Sequence, residues 1–569
     1  EPYGFKIAQH KCLEEVERLV KDAVNSPTTP ELVTIFDKLS DALCRVADLA
    51  DFVRVAHPKI EYIEAAEDAC FSVGNMVEKL NTNVRLHESL RKLLSNESVL
   101  QSMDKESRRV AELFLFDFEQ SGIHLSAGKV REIAYKIFLY PNPQQEAILS
   151  KLLTARFELA NLVGYPTYAH RALKSSLAKD PENVMKFLEK TADKVHDRAR
   201  TEISQLKAIK RQFNSTNPDI MPWDLPYYTG IAKHQKFDLN SMEYAPYFSL
   251  GTCMEGLSYI LTCLYGIQLK EEKTKLGEVW ASDVRKLAVL HESEGLLGYI
   301  YCDLFERVGK SQQDCHFTIR GGRRLDDGSY QFPVVVLMCS FPTPTKAIPS
   351  LLSHSMVENL FHEMGHAMHS MLARTTYQHV TGTRCATDFA EVPSVLMEYF
   401  ANDYRVLKLF AKHYKTGETI PEELITKLCS SKKMFAACEL EQQVYYSILD
   451  QIYHGKHPLK LTTAELLAEI QNKYSCLPYI KDTAWQLRFG HLVGYGAKYY
   501  SYLLSRAVAS SLWHQCFKNN PLNRQVGEDY RRKMLAFGGG EEPSILVQNM
   551  LGKELSTSQL VESLIQDAL

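Results

Sequence analysis

The chain has 569 residues, 45% hydrophobic and 24% charged, an ordinary globular composition with room for a large core. At about 100–200 residues per domain, it accommodates roughly three to five domain-sized units, a ceiling if they merge around one cleft. With 66 basic and 69 acidic side chains the net charge is −3, so no global field draws the chain to nucleic acid or to an acidic membrane. Its 13 cysteines are odd in number and contain no C-x-x-C, which argues against a disulfide scaffold and a cysteine zinc site. Free thiols suit a reducing compartment such as the cytosol or the mitochondrial matrix. The longest strongly apolar run, Phe332 to Phe341, contains Pro333 and is about half the length needed to span a bilayer, so no membrane insertion is expected.

The first half predicts helices. From Glu31 to Val53, Leu32, Ile35, Phe36, Leu39, Leu43, Val46 and Phe52 recur at helical spacing, and Glu61 to Asn81 and Lys105 to Gln120 follow the same pattern. These are packing stripes. Asn214 to Pro226, with Asn217, Pro218 and Pro222, predicts a loop and a lobe boundary. We therefore expect an N-terminal helical lobe, 1–240, and a catalytic region, 241–569.

One strand region stands out. Cys315 to Ile319 and Ser329 to Phe341 flank a Gly-rich connection containing Asp327-Gly328, the signature of a hairpin. Arg320, Arg323 and Arg324 in that connection read as a solvated link rather than an anion site. After Pro349 the pattern is helical almost to the end, interrupted by a tight loop or hinge at Phe537-Gly538-Gly539-Gly540.

His362-Glu363-Met364-Gly365-His366 matches H-E-x-x-H within a predicted helix, Ser355 to Leu372, with Met356, Leu360 and Met364 as its apolar stripe. Residues four apart share a helical face, so both imidazoles reach one ion, and Glu363 leans over the ion's open position. A zinc ion there lowers a water's pKa to about 7. A third protein ligand is needed. The position ten after His362 is Leu372, and His369 has the wrong offset, so a carboxylate from the next helix is the alternative. Asp388 and Glu391 have capping-box spacing, while Glu391 and Glu398 share one helical face. Buried acids on one face need a cation, and Glu391 is the expected ligand. For the second nitrogen of a ligating histidine, Glu358, one turn before His362, and Asp388 are the candidate carboxylates. The segment Phe489 to Tyr502 holds His491, four tyrosines and small residues. It reads either as an aromatic core or as a mobile loop that brings phenol donors to a carbonyl.

Leu360-Phe361-His362-Glu363-Met364-Gly365-His366-Ala367-Met368-His369, Thr381-Gly382-Thr383 and Asp388-Phe389-Ala390-Glu391-Val392-Pro393-Ser394 resemble the thimet-oligopeptidase family of zinc peptidases. The resemblance runs over nearly the full length. It implies one Zn2+ bound by His362, His366 and Glu391, with Glu363 as general base and Glu358 behind the ligands. By the same resemblance His491, Tyr495 and Tyr502 bind substrate and stabilise the oxyanion, although this segment is one residue shorter between His491 and Tyr495 than in the cytosolic members. A second departure lies at Gly128-Lys129-Val130-Arg131, where relatives carry a longer connection. The implied fold is mainly α: a two-lobed helical ellipsoid with a deep substrate channel and a small β-sheet beside the HExxH helix. An edge strand near Val334 to Ser340 is expected to pair with extended peptide. Within the family, Glu358-Asn359-Leu360-Phe361, Thr383-Arg384-Cys385, Leu396 to Tyr404 and Asp450 to Pro458 mark a monomeric enzyme of the mitochondrial matrix. Its implied partners are N-terminal segments of imported precursor polypeptides, from which it removes an octapeptide after a first processing cut. The rival functions are a general oligopeptidase degrading free short peptides and a helical binding protein with a vestigial zinc site.

Overall fold

The computed structural model describes residues 2–81, 83–120, 127–213 and 217–568. The fold is mainly helical with a small mixed sheet, and it forms two compact units. The smaller unit comprises Glu1–Ile137 and Pro344–Pro349. Its expected helices form at Glu31–Ala56, Ile60–Asn81 and Lys105–Gln120. Leu32, Phe36, Leu39, Leu43 and Val46 are buried as the spacing predicts, whereas Phe52, the last member of that stripe, is exposed.

The larger unit comprises Phe138–Thr343 and Ser350–Leu569. The 240/241 division drawn from the sequence falls inside it. Of the loop expected at Asn214 to Pro226, Asn214 to Thr216 lie outside the described residues. The rest is tied back onto the preceding helix, Pro181–Phe213, where Lys210 Nζ donates to the buried Asp224 carboxylate at 2.7 Å.

The sheet has five strands: β1 (Ile267–Glu272), β2 (Arg285–His291), β3 (Gly295–Phe305), β4 (Cys315–Arg320) and β7 (Val334–Phe341), in the order β1-β2-β3-β7-β4. A separate two-stranded ladder, β5 (Arg323–Arg324) with β6 (Tyr330–Gln331), closes the Gly-rich connection. The predicted hairpin is present as the antiparallel β4–β7 pair, with Cys315 opposite Met338. The expected peptide-accepting edge is not where the sequence places it. Val334–Phe341 is paired on both sides, parallel to β3 and antiparallel to β4, so its backbone groups are already used and the edge on its side of the sheet is β4. Arg320 and Arg324 are exposed, and Arg320 Nε donates to the Phe332 carbonyl at 3.1 Å, in keeping with a solvated connection.

Against this sheet packs the helix His354–Leu372, started by Ser353, whose side chain accepts from the Met356 amide. Leu360, Phe361, Met364, Met368 and Leu372 are buried in one apolar cluster with Val335, Leu337 and Phe341 of β7. On its other face the helix meets Val392–Phe400 at close range. The contact depends on Gly365: a Cβ there would lie 2.5 Å from Ser394 Cα and 2.6 Å from the Pro393 carbonyl oxygen. The Phe537–Gly540 segment is a tight loop, in which Gly538 takes φ 51° and the Gly539 amide donates to the Val380 carbonyl at 2.8 Å.

Because both obstructing groups at Gly365 are backbone, Gly365→Ala should destabilise the larger unit by about 1–3 kcal/mol. Gly230→Ala, in the helix Leu225–Phe237 with open space around its Cβ, should be neutral or stabilising by up to about 1 kcal/mol. Urea unfolding of both variants measures the contrast; equal stabilities would mean the two helices do not need this approach.

Candidate active site

Helical spacing puts His362 and His366 on one face of His354–Leu372, and the crossing at Gly365 brings Glu391, at the mouth of Val392–Phe400, to both rings. His362 Nε2 lies 3.4 Å and His366 Nε2 3.2 Å from Glu391 Oε2. Three donor atoms of metal-binding type therefore converge on one point. The donor set, two imidazoles and a carboxylate, fits a catalytic zinc ion with an open position.

The other face of the His362 ring is held by Glu398, whose Oε1 lies 2.6 Å from Nδ1. The imidazole is thus clamped between two carboxylates. Burial alone would discourage a charge on His362, but Glu391 and Glu398 outweigh it and raise its pKa to about 10. Burial likewise opposes ionisation of Glu391, yet the two histidines hold its carboxyl far below the usual range. A cation at the convergence point satisfies the same carboxylate without requiring protonated rings.

Neither carboxylate expected behind the histidines is in contact with them. Glu358 is turned away to Lys432 Nζ and to Asn402 Nδ2, the latter at 2.5 Å. Asp388 is fully buried and accepts from the Leu177 and Ala178 amides at 2.9 and 3.0 Å and from the Tyr500 hydroxyl at 2.8 Å. With its carboxylate so engaged, Asp388 does not cap the helix that follows; it anchors the segment that carries Glu391. Asn402 also donates to the Glu398 carbonyl at 2.8 Å and so links Glu358 to the residue that holds the His362 ring.

Glu363 is buried beside the triad, and its Oε2 has no hydrogen-bond partner among the described residues. Burial raises its pKa, partly offset by His366 and His362. A carboxylate made more basic in this way, with a free oxygen, is suited to take a proton from water. His316 of β4 also faces the site. Its ring centroid is 5.8 Å from that of His366, its Nε2 lies 3.2 Å from Ser370 Oγ, and burial lowers its pKa to about 3, so it is neutral. The strand reading passed over His316 because one histidine in a β-rich run carries no spacing signal.

The aromatic segment divides by role. Tyr499 donates to Gln443 Oε1 at 2.7 Å and Tyr500 to Asp388, so these two are packing and anchoring residues. Tyr495 and Tyr502 stack with ring centroids 6.2 Å apart, and the Tyr502 hydroxyl lies 3.4 Å from His491 Nε2. Burial raises both phenol pKa values, and the negative charges of Glu391 and Glu363 raise them further, so both hydroxyls remain protonated within electrostatic reach of these acids. The backbone of the segment is pinned from outside. Ala497 adopts φ 62°; its amide donates to Asp450 Oδ1 at 3.0 Å and its carbonyl accepts from Gln451 Nε2 at 2.8 Å. Arg156 donates to the carbonyls of Leu492 and, at 2.7 Å, Val493. Arg156, Asp450 and Gln451 are positioning residues that sequence reasoning missed; the left-handed backbone at Ala497 gives no sign in its residue type.

Comparison with known proteins gives the family. The Peptidase family M3 profile matches residues 123–565. The mitochondrial intermediate peptidases of Pongo abelii and Homo sapiens are each 54% identical over 627 aligned positions, covering 100% of this chain and 88% of theirs. The Arabidopsis thaliana protein of the same name is 33% identical, covering 97% of this chain and 91% of its own. A profile match over most of the chain and full-length relatives at this identity place it in peptidase family M3, and it is a metallopeptidase of that family.

Proposed function

We propose that this metallopeptidase works in the mitochondrial matrix as a monomer with one zinc ion, held by His362, His366 and Glu391. Its substrates are imported precursor polypeptides already cut once, from which it removes an N-terminal octapeptide. The observation that carries the chemistry is the convergence of the three donors beside the unpartnered Glu363 oxygen. The substrate assignment is supported by full-length similarity to mitochondrial intermediate peptidases.

When bound, zinc supplies Lewis-acid polarisation and acidifies a water molecule. Glu363 takes the proton of the attacking water and later passes it to the leaving amine. Its raised pKa favours the first half of that transfer, uptake of the water proton. Glu398 fixes the ring of His362 and selects its tautomer, with Nδ1 protonated toward the carboxylate and Nε2 free to bind. Tyr502 and Tyr495 donate to the oxyanion of the tetrahedral intermediate, and His491 orients Tyr502.

Two experiments test the reading. Mass spectrometry of products should show an octapeptide released from the amino terminus of a once-cut precursor, with the mature protein left intact. Indiscriminate cleavage of unrelated short peptides at a similar rate would instead favour the general oligopeptidase. For the metal, Glu391→Ala should lose zinc on dialysis, whereas Glu398→Ala should bind it about 10–100-fold more weakly, as expected when a supporting carboxylate is removed. Metal analysis showing normal affinity in Glu391→Ala would remove Glu391 from the ligand set.

A further inference from the structure

The larger unit contains a second convergence of metal-binding side chains, outside the catalytic site. The helices Pro181–Phe213 and Ala436–Tyr453 meet the segment that follows Thr463–Tyr474. His196 Nδ1 lies 3.0 Å from Glu441 Oε1; Cys476 Sγ lies 3.4 Å from that oxygen and 3.9 Å from His196 Nδ1. A tetrahedral ion with bonds of about 2.0 Å to N and O and about 2.3 Å to S sets its donors roughly 3.3–3.6 Å apart. The three observed distances bracket that range, and the catalytic triad's 3.4 and 3.2 Å lie near its lower end.

We propose that His196, Glu441 and Cys476 form a second site for a divalent transition-metal ion of the zinc type. The bonds are from His196 Nδ1, Glu441 Oε1 and Cys476 Sγ, and the thiol proton is released to solvent on binding. A thiolate with an imidazole selects zinc, cobalt or cadmium over calcium or magnesium.

The carboxylate is already oriented. Glu441 is buried, and its other oxygen, Oε2, accepts from the Cys476 amide at 2.7 Å. The backbone of one ligand thereby aims the side chain of another. His196 has a side chain 36% exposed, which leaves a route for the ion and a position for water as the fourth ligand. One contact must change. Arg200 Nη2 lies 3.0 Å from His196 Nε2, which carries the ring proton once Nδ1 binds metal. Arg200 is exposed and turns outward at little cost. The bound ion then braces two long helices and the 475–477 segment.

Cobalt absorption isolates this site, because the catalytic donors are nitrogen and oxygen only. Loaded with Co2+, the full chain should show a near-ultraviolet thiolate-to-cobalt charge-transfer band that persists in Glu391→Ala and disappears in Cys476→Ser. Metal content should fall from about two ions per chain to about one in Cys476→Ser, with peptidase activity retained. His196→Ala, a second variant in case Cys476→Ser does not fold, should weaken the band-forming Co2+ by at least about tenfold. No band in the unmodified chain, a band undiminished in Cys476→Ser, or unchanged affinity in His196→Ala overturns the proposal.

Discussion

The site depends on one electrostatic arrangement: the His362 ring held between the carboxylates of Glu391 and Glu398. A buried acid, Glu391, and a half-buried one, Glu398, on one side of a helix crossing repel each other unless positive charge lies between them. A metal ion at the Glu391 oxygen and a protonated Nδ1 facing Glu398 meet both demands. Much of the surrounding fold serves this crossing. The sheet supports the back of His354–Leu372 through β7, and Gly365 allows Val392–Phe400 to close against its front. Asp388 fixes the approach of the Glu391 segment by taking two amides and a phenol.

The aromatic segment is built on the same plan, with backbone held so that side chains are free to act. Asp450, Gln451 and Arg156 occupy its amide and carbonyl groups, including both polar groups of Ala497. A non-glycine residue at φ 62° is unfavourable by itself and persists where neighbours over-determine it. Tyr495 and Tyr502 lie within electrostatic reach of Glu391 and Glu363, while Tyr499 and Tyr500 are committed to holding the segment. Orienting hydroxyl donors before the charge develops is what makes such donors effective in catalysis.

The HExxH helix, the convergence of His362 and His366 and the β4–β7 pair were legible in the sequence because each rests on local periodicity or on a motif with fixed geometry. What was not legible depends on long-range partners. Glu358 sits one turn before His362, but Lys432 arrives from a distant helix and claims it, leaving His362 Nδ1 to Glu398. Val334–Phe341 has the composition of an edge or an interior strand equally; the parallel partner Gly295–Phe305 decides the matter. Asp388 has capping-box spacing, yet the Leu177 and Ala178 amides compete successfully for its oxygens. Phe52 continues a stripe that the smaller unit does not cover.

The central claim is that Glu363 moves the protons while touching none of the metal bonds. Glu363→Gln keeps the size and shape of the side chain but has no carboxylate to accept a proton. Zinc content and peptide hydrolysis measured on the same preparation test this directly. The account predicts zinc bound as in the unmodified chain and hydrolysis reduced by at least about a hundredfold. Near-normal turnover with zinc in place would contradict it, and would assign proton transfer to another group at the site.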